Sequence, residues 1–288
     1  MKLLLSIILL MSLFLSCEKE EEAGIKPTAC FTYSHNYTSA LGPIQGKDSV
    51  VFENCSENAN SYLWNFGDGT TSTEENPIHI YDQNMPTIVS LTAFNGSDSD
   101  ILIDTIGYWS IVYKPNIYIY PEETIDLCVS LSFPKGGNII TSIPQYSDGW
   151  YVSVEPSGKI NGIYDFLFYE SMQPNIWQKE NGWVVKKGNL TKFFIDNMKT
   201  YGFNTHEIDD FIKYWIPIFT DSDFYAIYPQ TKEIIERVIE LDFSMQPENI
   251  NRLFYVIEET EKAIDIEKPS IKAFLKGSYY VNEWGVVY

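Results

Sequence analysis

The sequence predicts a small all-β sandwich followed by a β-rich α+β domain, and three observations predict it. Between Thr28 and about Gly107, short β-type runs are separated by Gly, Asn, Asp and Ser at the regular spacing a sandwich needs. After that, strand-like text surrounds two segments with helical periodicity. Throughout, Tyr, Phe, Ile, Val and Thr are plentiful and Ala-rich runs are absent, a balance that favours strands. With 44% hydrophobic and 15% aromatic residues in a chain of 288, there is enough apolar material for packed cores.

The first element is an export signal, residues 1–16. Lys2 precedes an apolar run from Leu3 to Leu15, too short to span a bilayer comfortably. It ends in Leu15-Ser16-Cys17, which resembles the lipobox of bacterial lipoproteins. That resemblance implies cleavage before Cys17, lipidation of its thiol and acylation of its new amine. One acyl chain anchors only marginally at ~0.8 kcal/mol per buried methylene, whereas several hold a protein to the membrane. Residues 17–27 form an acidic linker. Its run Glu18-Lys19-Glu20-Glu21-Glu22 also resembles the export signal of lipoproteins sent to the outer face of the outer membrane. Loss of the signal with Lys2 moves the formal net charge from −19 to −20. Such a charge excludes nucleic acid and anionic lipid as natural partners.

The sandwich runs over 28–108. "SVVF", "SYLWNF" and the alternation of Val89, Leu91 and Ala93 with Ser90, Thr92 and Phe94 mark its strands. Trp64 and Phe66 lie two apart and share the core face of one strand. Gly67-Asp68-Gly69 then reads as a sharp turn, because glycine takes positive φ cheaply and Asp68 can accept from nearby backbone amides. His79 and Tyr81 share one face of a later strand, and His79 reads as a structural histidine without metal-ligand spacing around it. The register of Trp64, Phe66, Gly67, Asp68, Gly69, Pro77, His79 and Tyr81 resembles the PKD domain, an immunoglobulin-like sandwich common in surface and secreted proteins. Cys30 and Cys55 fall where the first two strands of such a domain run, as in some PKD domains, and export places them in an oxidising space, so they are expected to pair. Cys128 is left over and is expected to be a thiol covered by a second layer.

The second domain covers 109–288. "IYIY", "TIDLCVSLSF", "GWYVSVEP", "IYDFLFYE" and "GWVVKKG" read as strands. Leu190, Phe193, Phe194, Met198 and Tyr201 recur at helical spacing, and Gly202 stops that helix. Ile208, Phe211, Ile212, Trp215 and Ile216 give a second amphipathic stripe. Asn204 and Glu207 form a capping box at its start, which also accounts for His206 and Asp210 four apart. Residues 234–259 read as two strands joined by a polar turn near Gln246-Pro247, and "KGSYYVNEWGVVY" closes the chain. The phrases Lys114-Pro115-x-Ile117-Tyr118-x-Tyr120-Pro121, Gly149-Trp150, Phe211-Ile212-x-Tyr214-Trp215-x-Pro217 and Glu283-Trp284-Gly285 resemble a domain family with no established activity. That resemblance supplies no catalytic residues.

Motif tests for chemistry fail: there is no P-loop, no Gly-x-Ser-x-Gly elbow and no His-Glu-x-x-His. No catalytic, cofactor-binding or metal-ligating residue is assigned. Asp148, Glu155, Asp165 and Glu170 lie among aromatics, the composition of a sugar-binding or glycosidase surface. The expected function is binding: a lipid-anchored, surface-displayed outer-membrane protein that contacts extracellular polysaccharide or an envelope protein. A surface hydrolase with its site in 109–288 is the alternative, and a structural subunit of an envelope complex the second.

Overall fold

The computed structural model of the protein describes residues 25–37, 48–81, 87–107 and 109–288. The signal 1–16, Cys17 and most of the linker therefore lie outside the described residues. Contacts divide the chain into two compact units, one built around Phe52–Pro77 and Val89–Asp104, the other holding Thr105–Tyr288.

Seven strands come first: β1 (Phe31–Tyr37), β2 (Asp48–Asn54), β3 (Ser61–Asn65), β4 (Thr71–Ser72), β5 (Ile78–Tyr81), β6 (Thr87–Asn95) and β7 (Asp98–Ile106). They form a three-stranded sheet, β1-β2-β5, and a four-stranded one, β4-β3-β6-β7. The period-2 pattern places Phe52, Trp64, Phe66, Val89, Leu91 and Ala93 in the core. Trp64 is its centre: its ring lies 5.2 Å from both Phe31 and Phe52, and its Nε1–H donates to the Glu74 carbonyl at 2.9 Å. Gly67 and Gly69 take φ of +80° and +93°, and Asp68 accepts from the Thr70 amide at 2.9 Å and from its hydroxyl at 2.6 Å. Asp68 thus builds a turn. His79 and Tyr81 pack edge to face at 4.5 Å. Cys30 and Cys55 form a disulfide across 25 residues. Closing that loop restricts the unfolded chain by ~3–4 kcal/mol in the entropy model.

Next come β8 (Trp109–Tyr120), β9 (Ile125–Ser132), β10 (Asn138–Ile143), β11 (Trp150–Val154), β12 (Leu167–Pro174), β13 (Trp183–Lys186), α1 (Leu190–Thr200), α2 (Thr205–Trp215) and β14 (Phe224–Thr231). A short α3 (Lys232–Ile235), β15 (Glu240–Phe243), β16 (Asn249–Thr260) and β17 (Tyr280–Val287) complete the chain. A seven-stranded sheet runs β10-β12-β8-β17-β16-β14-β13, and a three-stranded sheet runs β11-β9-β15. The large sheet has two covered faces. One packs on α1 and α2 through Phe194, Met198, Phe211, Trp215, Tyr255 and Trp284. The other packs on the small sheet through Val129, Trp150, Leu241, Phe254 and Val281. Three layers result.

Two expectations are corrected. The strands of 234–259 do not form a hairpin, because β15 pairs with β9 in the outer sheet while β16 joins the central one. Cys128 is a partly exposed thiol rather than a covered one, because β9 belongs to that outer sheet and Cys128 sits opposite the exposed Tyr151.

Among the neighbouring strand pairs of the seven-stranded sheet, β16 and β17 alone are parallel, with Arg252 opposite Glu283. Both side chains are fully buried. Arg252 Nε donates to Glu283 Oε2, Arg252 Nη1 donates to the Ile239 carbonyl at 2.6 Å, and the Tyr169 hydroxyl donates to Glu283 Oε1 at 2.8 Å. Removing one partner strands the other charge in the core. Glu283→Ala should therefore cost ~3–5 kcal/mol, while the double change Arg252→Met with Glu283→Leu should cost much less than the sum of the two single changes. Denaturant unfolding of the native chain, Glu283→Ala, Arg252→Met, Glu283→Leu and the double change checks this; additive losses would show the charges to be independent.

Candidate functional site

β8 is buried on both faces, and in its middle Lys114 adopts φ +55°, a left-handed conformation seldom taken by a side-chain-bearing residue. The following Pro115 makes it rarer still, since a residue before proline favours extended backbone. Pairing is irregular on both sides: the register with β12 shifts between Phe168 and Ser171, and with β17 between Trp284 and Val286. Such an irregularity re-aims a side chain. Here it delivers the Lys114 ammonium to the helical layer, 4.4 Å from the Phe168 ring centre, 5.1 Å from Tyr214 and 5.7 Å from Phe166.

α2 supplies the opposite wall. The Asn204 side chain accepts from the Glu207 amide at 3.0 Å, and Glu207 Oε2 accepts from the Asn204 amide at 2.7 Å. Glu207 is itself buried and receives the Asn282 side-chain amide of β17 at 3.0 and 2.9 Å. The capping box therefore fixes the helix to the sheet as well as starting it. Ile208, Phe211 and Trp215 are then buried, and His206, Asp210 and Tyr214 follow one another at intervals of four along the bordering face.

Asp210 and Glu170 converge on Lys114 from α2 and β12, both lying close enough to act on its charge. Asp210 accepts from the Tyr118 hydroxyl at 3.0 Å, which in turn accepts from Asn116 at 3.3 Å, and His206 Nε2 lies 3.7 Å away. Burial pulls the Lys114 ammonium below its ordinary pKa, and Glu170 and Asp210 push it partly back. Burial pushes the Glu170 carboxyl above its ordinary value, opposed by the Lys114 amide and ammonium. Tyr118 is driven well above its ordinary range by burial and then by Asp210. Lys114, Phe166, Glu170, Asp210 and Tyr214 are all partly exposed, so they form a mixed polar and aromatic patch at the surface. The buried Asn116 Oδ1 has no hydrogen-bond partner.

Three of the four phrases meet in one place, while Gly149-Trp150 lies with the small sheet on the other face. Lys114 and Tyr118 come from β8, Tyr214 and Trp215 from α2, and Trp284 packs at 5.2 Å from Phe211 beneath them. Of the four carboxylates flagged in the sequence, only Glu170 lies in this patch. Asp165 is paired with Lys159 at 2.8 Å on the surface, Glu155 holds a turn through Ser157 at 3.2 Å, and Asp148 is exposed beside Ser147. Asp210 was hidden behind the capping signature of its neighbour. The readable signal was the spacing of His206, Asp210 and Tyr214. Trp64, Phe66, Gly67, Asp68, Gly69, His79 and Tyr81 lie in the sandwich and serve its turn and packing. Among the described residues no group of three His, Cys, Asp or Glu side chains has metal-binding geometry.

A family model described as the PKD domain matches residues 44–105. Collagenase ColA of Bacillus cereus is 62% identical over 163 residues, 52% of this chain and 16% of the collagenase. Collagenase ColQ1 of Bacillus cereus strain Q1 is 70% identical over 23 residues, 8% of this chain and 2% of that one. The chain therefore spans a small part of the relatives it matches. The PKD1 domain of the Vibrio cholerae metalloprotease PrtV, known from a crystal structure, is 36% identical, with 28% of this chain and 95% of that domain covered and a TM-score of 0.23. The immunoglobulin-like sandwich is a PKD domain.

Glu170 makes the stability of the fold sensitive to pH. Because the folded state holds the Glu170 proton more tightly than the unfolded chain, rising pH strips the unfolded state first and favours it. This carboxyl's contribution is present below its ordinary value and lost as pH rises through its raised one. Glu170→Gln should therefore flatten the fall in stability on going from acid to neutral pH, as read by denaturant midpoints across that range. An unchanged pH slope would contradict the assignment.

Proposed function

We propose that this PKD-containing chain is a lipid-anchored protein of the outer membrane, displayed at the cell surface, that binds extracellular polysaccharide through its second domain. In this reading residues 1–16 are the export signal, Cys17 carries the lipid, 17–27 form an acidic linker, 28–108 the PKD domain and 109–288 the binding module. The carrying observation is the surface patch in which partly exposed rings of Phe166 and Tyr214 stand beside Lys114, with Glu170 and Asp210 near enough to act on its charge. A sugar has apolar C–H faces and a rim of hydroxyls. Rings take the faces, carboxylates accept from the rim at charge-assisted strength, and an ammonium donates to it. The acidic balance of the chain suits display in solvent and disfavours adhesion to the anionic membrane below. An extracellular protein ligand is the second reading, favoured by the likeness to two proteins named as collagenases.

Calorimetry of the full chain with soluble cellulose derivatives, xylan, chitosan and polygalacturonate should show saturable binding to at least one. Tyr214→Ala and Asp210→Asn should each weaken it about tenfold or more, ~1.4 kcal/mol, with melting temperatures measured alongside to show that the variants remain folded. Binding unaffected by both changes would remove the patch from the function. In cells, labelled palmitate should attach to the native chain and be lost in Cys17→Ser; label persisting in that variant would refute the anchor.

A further inference from the structure

We infer that the second domain seats one uncharged sugar unit in a hollow at the free edge of β10, and that this hollow selects neutral polysaccharides over charged ones. This rests on the reading of the domain as a polysaccharide binder and adds to it a second subsite and a substrate class. The hollow has a volume of about 430 Å³, inside the range of small-molecule pockets. β10 is the last strand of the seven-stranded sheet, paired with β12 alone. Its residues Ile139, Thr141 and Ser142 form one wall, Phe133 just beyond β9 forms another, and Gln145 and Tyr146 close the end. Tyr146 is held at two points. Its amide donates to Ser142 Oγ at 2.7 Å, and its hydroxyl accepts from the Leu131 amide at 3.0 Å. The Phe133 ring lies against Gly137, where an added Cβ would stand 2.8 Å from Phe133 Cδ1. The fold therefore sets the shape of the hollow before any ligand arrives.

The lining names the occupant. None of the residues around the hollow is charged, in a chain of formal net charge −19. They offer the hydroxyls of Thr141, Ser142 and Tyr146, the carboxamide of Gln145 and the apolar surfaces of Phe133 and Ile139. Hydroxyls and carboxamides both donate and accept, as a sugar's hydroxyls do, and an aromatic ring suits its C–H face. A uronate or an aminosugar ammonium would shed water here without a counter-charge, a penalty that neutral hydrogen bonds do not offset. An extended polypeptide is the competing occupant of a strand edge. Yet β10 carries a register shift between Ile139 and Thr141, and such a bulge interrupts the regular ladder that an added strand needs. The hollow also adjoins the patch around Lys114. Across β10 and β12, Thr141 stands opposite Glu170 and Ile143 opposite Phe168. Opposite residues share a face with Cβ atoms about 5 Å apart, so Thr141 borders both places and successive units of one polymer can occupy them.

The test is calorimetry of the full chain with hydroxyethyl cellulose, unsubstituted xylan, chitosan and polygalacturonate, and with gelatin as an unfolded polypeptide. It is run at roughly 0.5 M salt, which screens the general attraction between chitosan and an acidic chain. At least one of the two neutral polymers should bind, with chitosan and polygalacturonate tenfold weaker or more. Thr141→Val and Gln145→Ala change exposed residues, and each should weaken binding of the neutral polymer about fivefold. Melting temperatures show that both variants remain folded. Neutral-polymer binding that neither change alters overturns the hollow and leaves the polysaccharide reading standing, as does binding confined to the charged polymers. Binding to none of the four polysaccharides overturns both. Gelatin binding that disappears in the two variants gives the hollow to a polypeptide and overturns the sugar assignment.

Discussion

The buried pairing of Arg252 with Glu283 is the constraint on which the second domain depends. A parallel strand pair flanked by antiparallel neighbours has no hairpin turn to set its register. Here the register is set by charge: sliding β17 by one residue against β16 would leave a guanidinium and a carboxylate in the core without each other. Tyr169 reaches Glu283 from the other flank of β17, so three strands are indexed to one carboxylate. The price is desolvation of two ions, offset by the Ile239 carbonyl and the tyrosine hydroxyl.

From that register the site follows step by step. With Glu283 facing the small sheet, its neighbour Asn282 faces the helices, where its amide grips both oxygens of Glu207. Glu207 closes the capping box and fixes where α2 begins. The start of α2 in turn decides that Asp210 and Tyr214, one and two turns on, stand over the bulge at Lys114. A core ion pair on one face of the sheet is thereby linked through a single asparagine to the patch around Lys114 on the other. The strained backbone at Lys114 fits the same logic. A left-handed residue inside a doubly buried strand costs about 1–3 kcal/mol and persists only where packing over-determines it, a circumstance common at functional sites.

The two halves of the chain differ in how openly they state their structure. In the sandwich, Trp64 and Phe66, the glycines around Asp68, and the alternation at Val89, Leu91 and Ala93 are local features. Each is satisfied by residues within a strand and a turn, so the sequence spells them directly. The second domain hides more. β8, β16 and β17 are covered on both faces, which erases the alternation that would show which side chains look toward the helices. The outer sheet went unread for a different reason. β9, β11 and β15 alternate as one-sided strands, but alternation does not say which strands pair, so the exposure of Cys128 and the separation of β15 from β16 were missed.

The resemblance to the PKD domain pointed to the immunoglobulin-like type and the Cys30–Cys55 bridge; by itself the sequence determined the strand-rich class of each half, the turn at Asp68, the helix pair and the cap that starts α2. The latter rest on periodicity, turn chemistry and capping, which act between residues close in the chain. Only the tertiary structure decided the three-layer arrangement, the Arg252–Glu283 register and the meeting of Lys114, Glu170 and Asp210. Those depend on which strands become neighbours, and neighbours 31 residues apart, such as Arg252 and Glu283, are chosen by the mutual satisfaction of buried charges that no local pattern encodes.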